Sequence, residues 1–278
     1  MIAPPKVSIG MPTFRGARFL ASAIDSVLRQ SFGDWELDIV DDDSPDETAA
    51  IAGSYRDPRI RFARNPRRLG AEGNWNRCLE LARGTYFKLL PQDDVLAPEC
   101  LERQVEVLDR DEPKRIALTF CARTVIDSSD RRIMSRRYPG HARGVIPAAT
   151  LVRRCIRYGT NLIGEPGGVM FRRELASAVG PFDASLPYVV DLDYWVRLLR
   201  RGDAYYLPEP LVSFRVSAGS WSVAIGAKQS TEFCRFVERT QASGAPAVRR
   251  LDAGVGKLMS RVNTSLRLIV YRQMRERG

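Results

Sequence analysis

Histidine is nearly absent from this chain of 278 residues, which contains only His141. A Ser-His-Asp triad could therefore use only that residue, and a metal site built from several histidines is impossible. Cysteines are few, odd in number and never spaced as CxxC: Cys78, Cys100, Cys121, Cys155 and Cys234. A zinc ribbon or a disulfide framework is therefore not expected, and a reducing cytosol fits this usage best.

Long hydrophobic runs are missing as well. No segment approaches the ~20 consecutive apolar residues that a membrane-spanning helix needs. Residues 1–6 include two prolines and lack the apolar centre of a signal peptide. We therefore expect a cytoplasmic protein that is either soluble or attached to the inner face of a membrane.

Two common nucleotide-binding signatures are also lacking. The turn after the first predicted strand, residues 12–16, is PTFRG rather than GxGxxG, which disfavours a dinucleotide-dependent dehydrogenase. The chain has no GxxxxGK[ST] segment, which excludes a P-loop NTPase.

The composition is otherwise that of a globular protein with excess positive charge. Hydrophobic residues make up 44% of the chain and charged residues 27%, and 43 Lys and Arg against 33 Asp and Glu give a net charge of +10. This charge predicts attraction to anions, but it does not distinguish nucleic acid, lipid headgroups and nucleotide phosphates.

Strand and helix patterns alternate along the first hundred residues. Short apolar strands separated by helix-period segments are predicted at residues 7–11, 35–40, 60–63 and 85–90. The segment Ser44-Pro45-Asp46-Glu47 is typical of a helix start, with an N-cap, a proline in the first turn and a capping-box glutamate. Strands separated in this way indicate an α/β fold with a doubly wound sheet.

The alternation becomes irregular after residue 109. We expect residues 1–109 to form a nucleotide-binding half, residues 110–222 an irregular second half of the same domain, and residues 223–278 a helical, basic extension. The tail from Arg249 onward carries eight Lys and Arg against two acids. Its apolar stripe consists of Val262, Leu266, Ile269, Val270 and Met274.

Polar side chains follow three of the predicted strands. Thr13 follows the first strand, Asp41 and Asp42 the second, and Asp93 and Asp94 the fourth. In an open parallel sheet, ligands bind beyond the carboxyl ends of the strands. Because hard cations such as Mg²⁺ and Mn²⁺ take oxygen ligands and bridge carboxylates to phosphates, the pattern favours a cation and a phosphorylated ligand in one crevice. Polar turn residues that merely end strands are the alternative interpretation.

Five stretches occur in a characteristic order: VSIGMPTFRGARFLASAIDSVLRQSF, WELDIVDDDSPDET, NPRRLGAEGNWNRCLELARGTYFKLLPQDDVLAPECL, GEPGGVMFRRE and VVDLDYWVRLLRRG. Together they resemble the inverting family-2 glycosyltransferases over residues 6–215. The resemblance implies a GT-A fold, an α/β architecture in which a Rossmann-like nucleotide half and an irregular acceptor half share a mixed sheet. It also implies sugar transfer with inversion from a nucleotide-sugar, expected to be a UDP-sugar, to a glycan or glycolipid hydroxyl in cell-envelope polysaccharide synthesis.

The resemblance assigns a role to each matching residue. Asp191 would be the base that deprotonates the acceptor hydroxyl, with Asp193 as second choice, and Asp94 would be the direct ligand of Mg²⁺ or Mn²⁺. The nucleotide would contact Pro12, Thr13, Phe14, Asp41 or Asp42, Arg68 and Asp93. Asp193, Trp195 and Arg197 would shape the acceptor pocket, and Arg215 and Ser217 would belong to the phosphate-binding closing loop. Trp221 lies in a Gly- and Ser-rich context, where it is expected either to order as a lid over bound donor or simply to pack.

Two departures from the family pattern concern the metal. The first carboxylate of the usual metal motif falls on Pro91 or Gln92, and a histidine of the closing loop falls near Ser217. Metal ligation would then depend on Asp94 and the diphosphate alone, with Arg215 taking part of the phosphate charge.

Two other functions remain alternatives. A sugar-phosphate nucleotidyltransferase could use a similar sheet and metal, but it would show a Gly- and Lys/Arg-rich loop where this chain has only Arg15-Gly16. A non-enzymatic nucleic-acid-binding protein would need aromatics interleaved with arginine, and the Arg-rich stretch 123–157 contains only Tyr138. We therefore expect no nucleic-acid partner.

The basic C-terminal helix also has two interpretations. Its apolar stripe could pack against the body of the protein, or the helix could lie on an anionic membrane surface. Membrane contact would suit an enzyme with a lipid-linked acceptor.

Overall fold

A computed structural model describes residues 4–140, 142–216, 228–243 and 248–276. In this part of the chain the strands are β1 (Val7–Thr13), β2 (Trp35–Asp41), β3 (Ile60–Arg64), β4 (Tyr86–Leu89), β5 (Val95–Leu96), β6 (Ile116–Ile126), β7 (Arg132–Arg136), β8 (Gly144–Ile146), β9 (Val169–Arg172) and β10 (Asp203–Arg215). The helices are α1 (Leu20–Leu28), α2 (Thr48–Ser54), α3 (Gly70–Leu81), α4 (Cys100–Asp109), α5 (Ala148–Tyr158), α6 (Ala176–Val179), α7 (Val190–Leu198), α8 (Gln229–Ala242) and α9 (Arg250–Glu276).

The ten strands of the described residues form one mixed sheet, in which eight follow the order β3-β2-β1-β4-β9-β6-β10-β5, while β7 pairs with β6 and β8 pairs with β10. β1 runs parallel to β2 and β4, and β2 runs parallel to β3. β9 is antiparallel to both β4 and β6, so it joins the regular first half to the irregular second half. The predicted α/β fold with a mixed sheet is therefore confirmed.

Apolar side chains cover both faces of this sheet, as the doubly wound prediction requires. One cluster contains Leu20 and Ile24 of α1 with Leu101 of α4, all fully buried. The other face holds side chains of α5, α7 and α8, among them Trp195 and Phe233. Each large side chain removed from water stabilises the fold by about 1.5–3 kcal/mol, so both layers hold the sheet in place.

β1 extends further than predicted. The strand was expected to stop at Pro12, because proline has no N–H to donate to the sheet. β4 pairs with β1 only as far as Gly10, so β2 alone flanks the last residues of β1 and the missing donor is tolerated. This extension places Thr13 directly opposite Asp41 in the β1–β2 register.

The predicted helix start at Ser44 is wrong. The Ser44 hydroxyl instead bonds Asp41 at the end of β2. Asp46 Oδ1 accepts hydrogen bonds from the N–H and the hydroxyl of Thr48, at 3.2 and 2.5 Å. α2 therefore begins at Thr48, and Ser44 belongs to the strand-end cluster described below.

The C-terminal helix α9 packs against α5 through small and polar residues. Gly256 approaches the Ile156 carbonyl oxygen so closely that a Cβ there would clash with it, and Gly159, which ends α5 with φ +63°, lies equally close to Ser260. Of the two interpretations of the apolar stripe, packing on the body does not hold for Val262 and Leu266, which are 44% and 57% exposed. The predicted stripe residues Ile269, Val270 and Met274 have no described side chains.

Candidate active site

The ends of β1 and β2 meet through a cluster around Asp41, which is fully buried. Thr13 Oγ1 donates to Asp41 Oδ1 over 3.4 Å, and the Ser44 hydroxyl and N–H donate to the same carboxylate over 2.5 and 3.2 Å. Arg15 and Asp43 beside this cluster adopt positive φ angles of 51° and 60°. Non-glycine residues in this region are strained, and such strain is concentrated at functional sites.

Asp42 has a different role from the predicted nucleotide contact. Its Oδ1 accepts hydrogen bonds from Leu69 N–H at 2.7 Å and from the Asn65 amide at 3.0 Å, and its Oδ2 accepts from Gly70 N–H at 2.9 Å. The carboxylate therefore satisfies the N-terminus of α3, where negative charge is stabilising. Of the two acids, Asp41 is the one whose carboxylate accepts the Thr13 hydroxyl.

Phe14 and Arg68 form one wall of the site. The Arg68 guanidinium lies 4.0 Å from the centre of the Phe14 ring. Phe14 directly follows Thr13 at the end of β1, and Arg68 lies between β3 and α3. Gln92 holds the Phe14 backbone by accepting from its N–H at 2.9 Å and donating to its carbonyl at 3.0 Å. Because a carboxylate cannot donate, the amide at Gln92 makes two bonds where an ionised acid would make one.

Asp94 has a buried carboxylate oxygen that no group of the described residues occupies and that could therefore bind a ligand. The residue is 1% exposed, its Oδ1 accepts from Arg215 N–H at 3.0 Å, and its Oδ2 has no hydrogen-bond partner. Burial, together with the Asp93 carboxylate, raises the pKa of Asp94 well above its usual range, and burial also raises the pKa of Asp93. An unpartnered carboxylate oxygen beside a second acid fits a divalent cation. Among the described residues, no group of three His, Cys, Asp or Glu side chains could hold a metal, so further ligands would have to come from substrate or water.

Arg215 supports this acid pair instead of facing a phosphate, which corrects the prediction. Its guanidinium donates to the Asp93 carbonyl at 2.9 Å, to the Asp127 carbonyl at 3.0 Å and to the Asp130 carboxylate at 2.7 Å. The side chain is 1% exposed and its charge lies over the Phe19 ring. These protein partners take three of the five guanidinium N–H groups, and the buried side chain presents no open face to a phosphate.

Asp191 lies in the first turn of α7, as predicted. Its Oδ1 accepts from Leu192 N–H at 2.7 Å and its Oδ2 accepts from the Asn161 amide at 2.9 Å. The pKa of Asp191 is raised to about 7: burial is the main cause and the Glu165 charge adds to it, while the hydrogen bonds from Leu192 and Asn161 and the Arg123 charge oppose the rise. A carboxylate with a pKa near neutrality is suited to act as a general base.

Glu165 links the two acidic positions and was missed by the sequence analysis. Its charge raises the pKa of both Asp94 and Asp191, and it forms ion pairs with Arg123 and Arg136. The neighbouring Gly167 lies so close to Asp94 that a Cβ there would be 3.4 Å from Asp94 Oδ2. The available signal was the acid in GEPGG, followed by proline and two glycines that allow close backbone approach.

The segment 161–168 therefore connects the end of β4 to the start of α7. The buried Lys88 of β4 donates to the Gly167 carbonyl at 2.6 Å, and Asn161 donates to the Gly164 carbonyl at 3.0 Å. The Phe14 backbone is hydrogen-bonded to the Gln92 side chain, and Gln92 lies two residues before Asp94. A chain of intervening contacts thus runs from the Asp41 cluster through the neighbourhood of Asp94 to Asp191.

The three predicted acceptor residues on α7 have structural partners. Trp195 is fully buried in the core and donates to the Gly164 carbonyl at 3.3 Å, so it does not line an open pocket, and that prediction is corrected. Arg197 donates to Asp193 at 2.9 Å and to the carbonyls of Val179 and Pro181. This pairing also makes Asp193 a poor alternative to Asp191 as the base.

Pro12 lies within β1 opposite Val40. The predicted lid residues Ser217 and Trp221 lie outside the described residues, as does His141. The described part of the chain contains no helix that is both long and apolar enough to cross a membrane.

Comparison with protein families and curated proteins gives matches over most of the chain. The family model "Glycosyl transferase family 2" matches residues 8–180. An uncharacterised protein of Mycobacterium tuberculosis is 34% identical over 225 residues, which are 78% of this chain and 69% of that protein. An uncharacterised glycosyltransferase of Rickettsia typhi is 31% identical over 216 residues, 76% of this chain and 64% of that protein. The match thus spans about two thirds of the length of these relatives.

A shorter match involves a protein with a stated activity. The Escherichia coli UDP-Glc:alpha-D-GlcNAc-diphosphoundecaprenol beta-1,3-glucosyltransferase WfgD is 35% identical over 102 residues. These residues are 37% of this chain and 40% of WfgD.

Solved structures share the fold at low sequence identity. The S. aureus TarS fragment 1–349 in complex with UDP-GlcNAc matches with a TM-score of 0.71 and 16% identity, covering 93% of this chain and 72% of that one. The Pyrobaculum calidifontis mannosyltransferase PcManGT, in complex with GDP-Man and Mn²⁺, matches with a TM-score of 0.66 and 15% identity over 98% and 76% of the two chains.

Proposed function

The chain belongs to glycosyl transferase family 2, and from this premise we propose that it transfers a hexose from a UDP-sugar to a hydroxyl of a glycan or glycolipid, with inversion at the anomeric carbon. The observation that carries the proposal is that two acids are linked through Glu165, whose charge raises the pKa of both Asp94 and Asp191. Asp94 has a buried oxygen without a partner, and Asp191 has a pKa of about 7. Such a pair suits a reaction that needs both charge stabilisation and a base.

The donor nucleotide is proposed to bind at the ends of β1 and β2. Asp41, held by Thr13 and Ser44, would accept an N–H of the base, and the stacked pair of Phe14 and Arg68 would flank it. The arginine also brings positive charge toward the phosphates. The UDP-GlcNAc complex of TarS, a protein with the same fold, supports a uridine donor.

A divalent cation, Mg²⁺ or Mn²⁺, is proposed to bind at Asp94 with Asp93 beside it. When bound, it would supply positive charge next to the departing diphosphate. The Arg215 N–H holds Asp94 Oδ1, which leaves Oδ2 free for a ligand. The Mn²⁺ complex of PcManGT supports this assignment.

Asp191 is proposed to remove the proton from the acceptor hydroxyl. The acceptor oxygen forms a bond to the anomeric carbon as the bond from that carbon to the phosphate oxygen breaks, and the proton passes to the Asp191 carboxylate. A single displacement of this kind inverts the anomeric centre, and a positioned base contributes about 10²–10⁴-fold to the rate. Leu192 N–H and Asn161 fix the orientation of the carboxylate.

The acceptor is proposed to be a lipid-linked glycan at the inner, cytoplasmic face of a membrane, in cell-envelope polysaccharide synthesis. The name of the E. coli relative WfgD, which states a diphosphoundecaprenol-linked acceptor, supports this class.

Nucleotide-sugar turnover tests the proposal. The purified chain would be incubated with a panel of UDP- and GDP-sugars, with and without Mg²⁺ or Mn²⁺, and the release of the nucleoside diphosphate measured. We expect cation-dependent release with one UDP-sugar, loss of about 10²-fold or more in Asp94→Asn and Asp191→Asn, and no change in the surface control Glu80→Gln. Turnover of a nucleoside triphosphate with a sugar phosphate instead, or full activity in both variants, would overturn it.

A further inference from the structure

Four large apolar side chains of α9 face away from the protein. Leu251, Leu258, Val262 and Leu266 are 73%, 62%, 44% and 57% exposed. At 3.6 residues per turn they fall within an arc of about 80° and form one continuous strip along the helix. We call these four residues the outer stripe.

The opposite face of α9 is fixed against the body of the protein. Asp252, Gly256 and Ser260 are buried, and Asp252 forms ion pairs with Arg153 and Arg157 of α5. Gly256 leaves no space for a side chain against the Ile156 carbonyl. The helix therefore cannot turn its large residues inward, and the outer stripe is exposed because of how α9 is docked.

A basic flank runs beside the outer stripe. Arg250, Lys257 and Arg261 lie on the same side of the helix, about 60–100° around the axis from Leu258 at the near edge of the stripe. Lys257 pairs with Glu238, and the segment from Arg249 onward carries eight basic residues against two acids. An apolar strip beside a row of cations is complementary to a surface with apolar interior and anionic headgroups.

We propose that the outer stripe and its basic flank are a docking surface for an anionic phospholipid bilayer. The leucines and Val262 insert at the boundary between headgroups and acyl chains, and the flanking Lys and Arg side chains are attracted to the anionic headgroups. The helix lies in the plane of the membrane, in keeping with the absence of a spanning helix among the described residues.

Docking through α9 also positions the proposed active site. Asn263 donates to the carbonyls of Tyr158 and Gly159 at 2.7 and 3.2 Å, at the C-terminus of α5. Asn161, two residues further along, donates to Asp191. The membrane-facing helix and the proposed base are thus joined by one short turn. This part of the inference rests on the proposed function, and it assigns the acceptor to lipids of the same bilayer.

Vesicle co-sedimentation of the full chain tests the docking surface. We expect binding to vesicles that contain phosphatidylglycerol and much weaker binding to pure phosphatidylcholine, with binding that decreases as salt increases. The double variant Leu258→Ser/Leu266→Ser should lose about tenfold or more in partitioning. The matched control Ile133→Ser/Met134→Ser removes two apolar side chains of β7 that are 43% and 44% exposed, and it should bind as the unaltered protein does.

Charge is tested separately with Arg250→Gln/Arg261→Gln. This variant should bind phosphatidylglycerol vesicles several-fold less tightly and lose part of the salt dependence, while nucleotide-sugar turnover remains unchanged.

Three outcomes would overturn the docking proposal: no binding to anionic vesicles, equal loss of binding in the stripe and control variants, or conversion of a dimer to a monomer by the stripe substitutions. The last would make a second copy the occupant. Nucleotide-sugar turnover is measured in the same preparations, so a failure of the proposed function is seen independently of vesicle binding.

Discussion

The side-chain amide of Asn161 donates a hydrogen bond of 2.9 Å to Asp191 Oδ2, and its own carbonyl oxygen accepts the N–H groups of Ile163 and Gly164. Both ends of the amide are therefore fixed, and so is the carboxylate that it holds. The donor is neutral, so it orients Asp191 without the strong lowering of the pKa that a direct arginine contact would cause. The arrangement combines a defined orientation with a pKa of about 7.

The pH dependence of turnover follows from this pKa. The proposed base acts only as the ionised carboxylate, so activity should rise with pH through about 7 and then level off. Below that midpoint the rate should fall about tenfold per pH unit. Initial rates of UDP release at subsaturating donor, from pH 5.5 to 8.5, measure the profile. A rate independent of pH across this range would contradict the role of Asp191.

Asp191 should also reduce the stability of the folded protein at alkaline pH. Its folded-state pKa of about 7 lies above the value near 4 of an unfolded chain, so the folded state binds the proton more tightly. The stability that this proton contributes is complete below pH 4 and is lost as the pH rises through 7. The loss amounts to at most about 4 kcal/mol.

Asp191→Asn removes this dependence. The free energy of unfolding of the variant, relative to the unaltered chain, should therefore be higher at pH 8 than at pH 5. Urea unfolding at both pH values measures the difference, and the surface variant Glu80→Gln should show none. A difference of the opposite sign would show that the carboxylate is stabilised as the anion.

The regular half of the fold could be predicted because its signals are local. Apolar strands alternate with amphipathic helices up to residue 109, and the carboxyl ends of parallel strands necessarily meet, so the positions of Thr13, Asp41 and Asp94 followed from chain order. The irregular half gave weaker signals, because β9 and β10 pair with strands far away in the sequence.

Residue type alone did not show which polar groups are already occupied. Asp42 and Arg215 have the chemistry of ligand-binding residues, but folding supplies their partners from α3 and from the turn after β6. Glu165 was missed for the converse reason: its partner Arg123 is 42 residues earlier, and the electrostatic link to Asp94 and Asp191 exists only in three dimensions.

Replacing Glu165 by glutamine should alter both stability and the pH profile. Arg123 is 6% exposed and would be left without its charge partner, which typically costs about 3–5 kcal/mol. Removal of the negative charge should also lower the pKa of Asp191, so the midpoint of the turnover profile should move to lower pH.

Glu209→Gln is the matched control, because Glu209 pairs with Arg143 at a surface where both side chains are about 40% exposed. Its effect on the free energy of unfolding should not exceed about 1 kcal/mol. Equal destabilisation by the two substitutions, or an unchanged pH midpoint in Glu165→Gln, would contradict the role given to Glu165.

Gln92→Glu tests why the metal motif departs from the family pattern. A glutamate at this position would supply an additional carboxylate two residues before Asp94, and if the departure merely weakened the metal site, the variant should bind Mn²⁺ more tightly and turn over faster. The structure predicts the opposite. Gln92 donates to the Phe14 carbonyl and accepts from its N–H, at 3.0 and 2.9 Å, and an ionised glutamate can make only the second bond.

The variant should therefore lose about 1–3 kcal/mol in the free energy of unfolding, because the Phe14 carbonyl loses its partner. The apparent donor KM should also rise, since Phe14 and Arg68 form the proposed wall of the nucleotide site. Urea unfolding and donor titrations with Mn²⁺ measure the two effects. Gln30→Glu is the control, because Gln30 makes comparable two-sided bonds to Ala97 and Leu101 away from the strand-end cluster. The Gln30→Glu variant should be destabilised without a change in donor KM. If Gln92→Glu instead binds Mn²⁺ more tightly and keeps its stability, the Gln92 amide does not have the role of holding the Phe14 backbone.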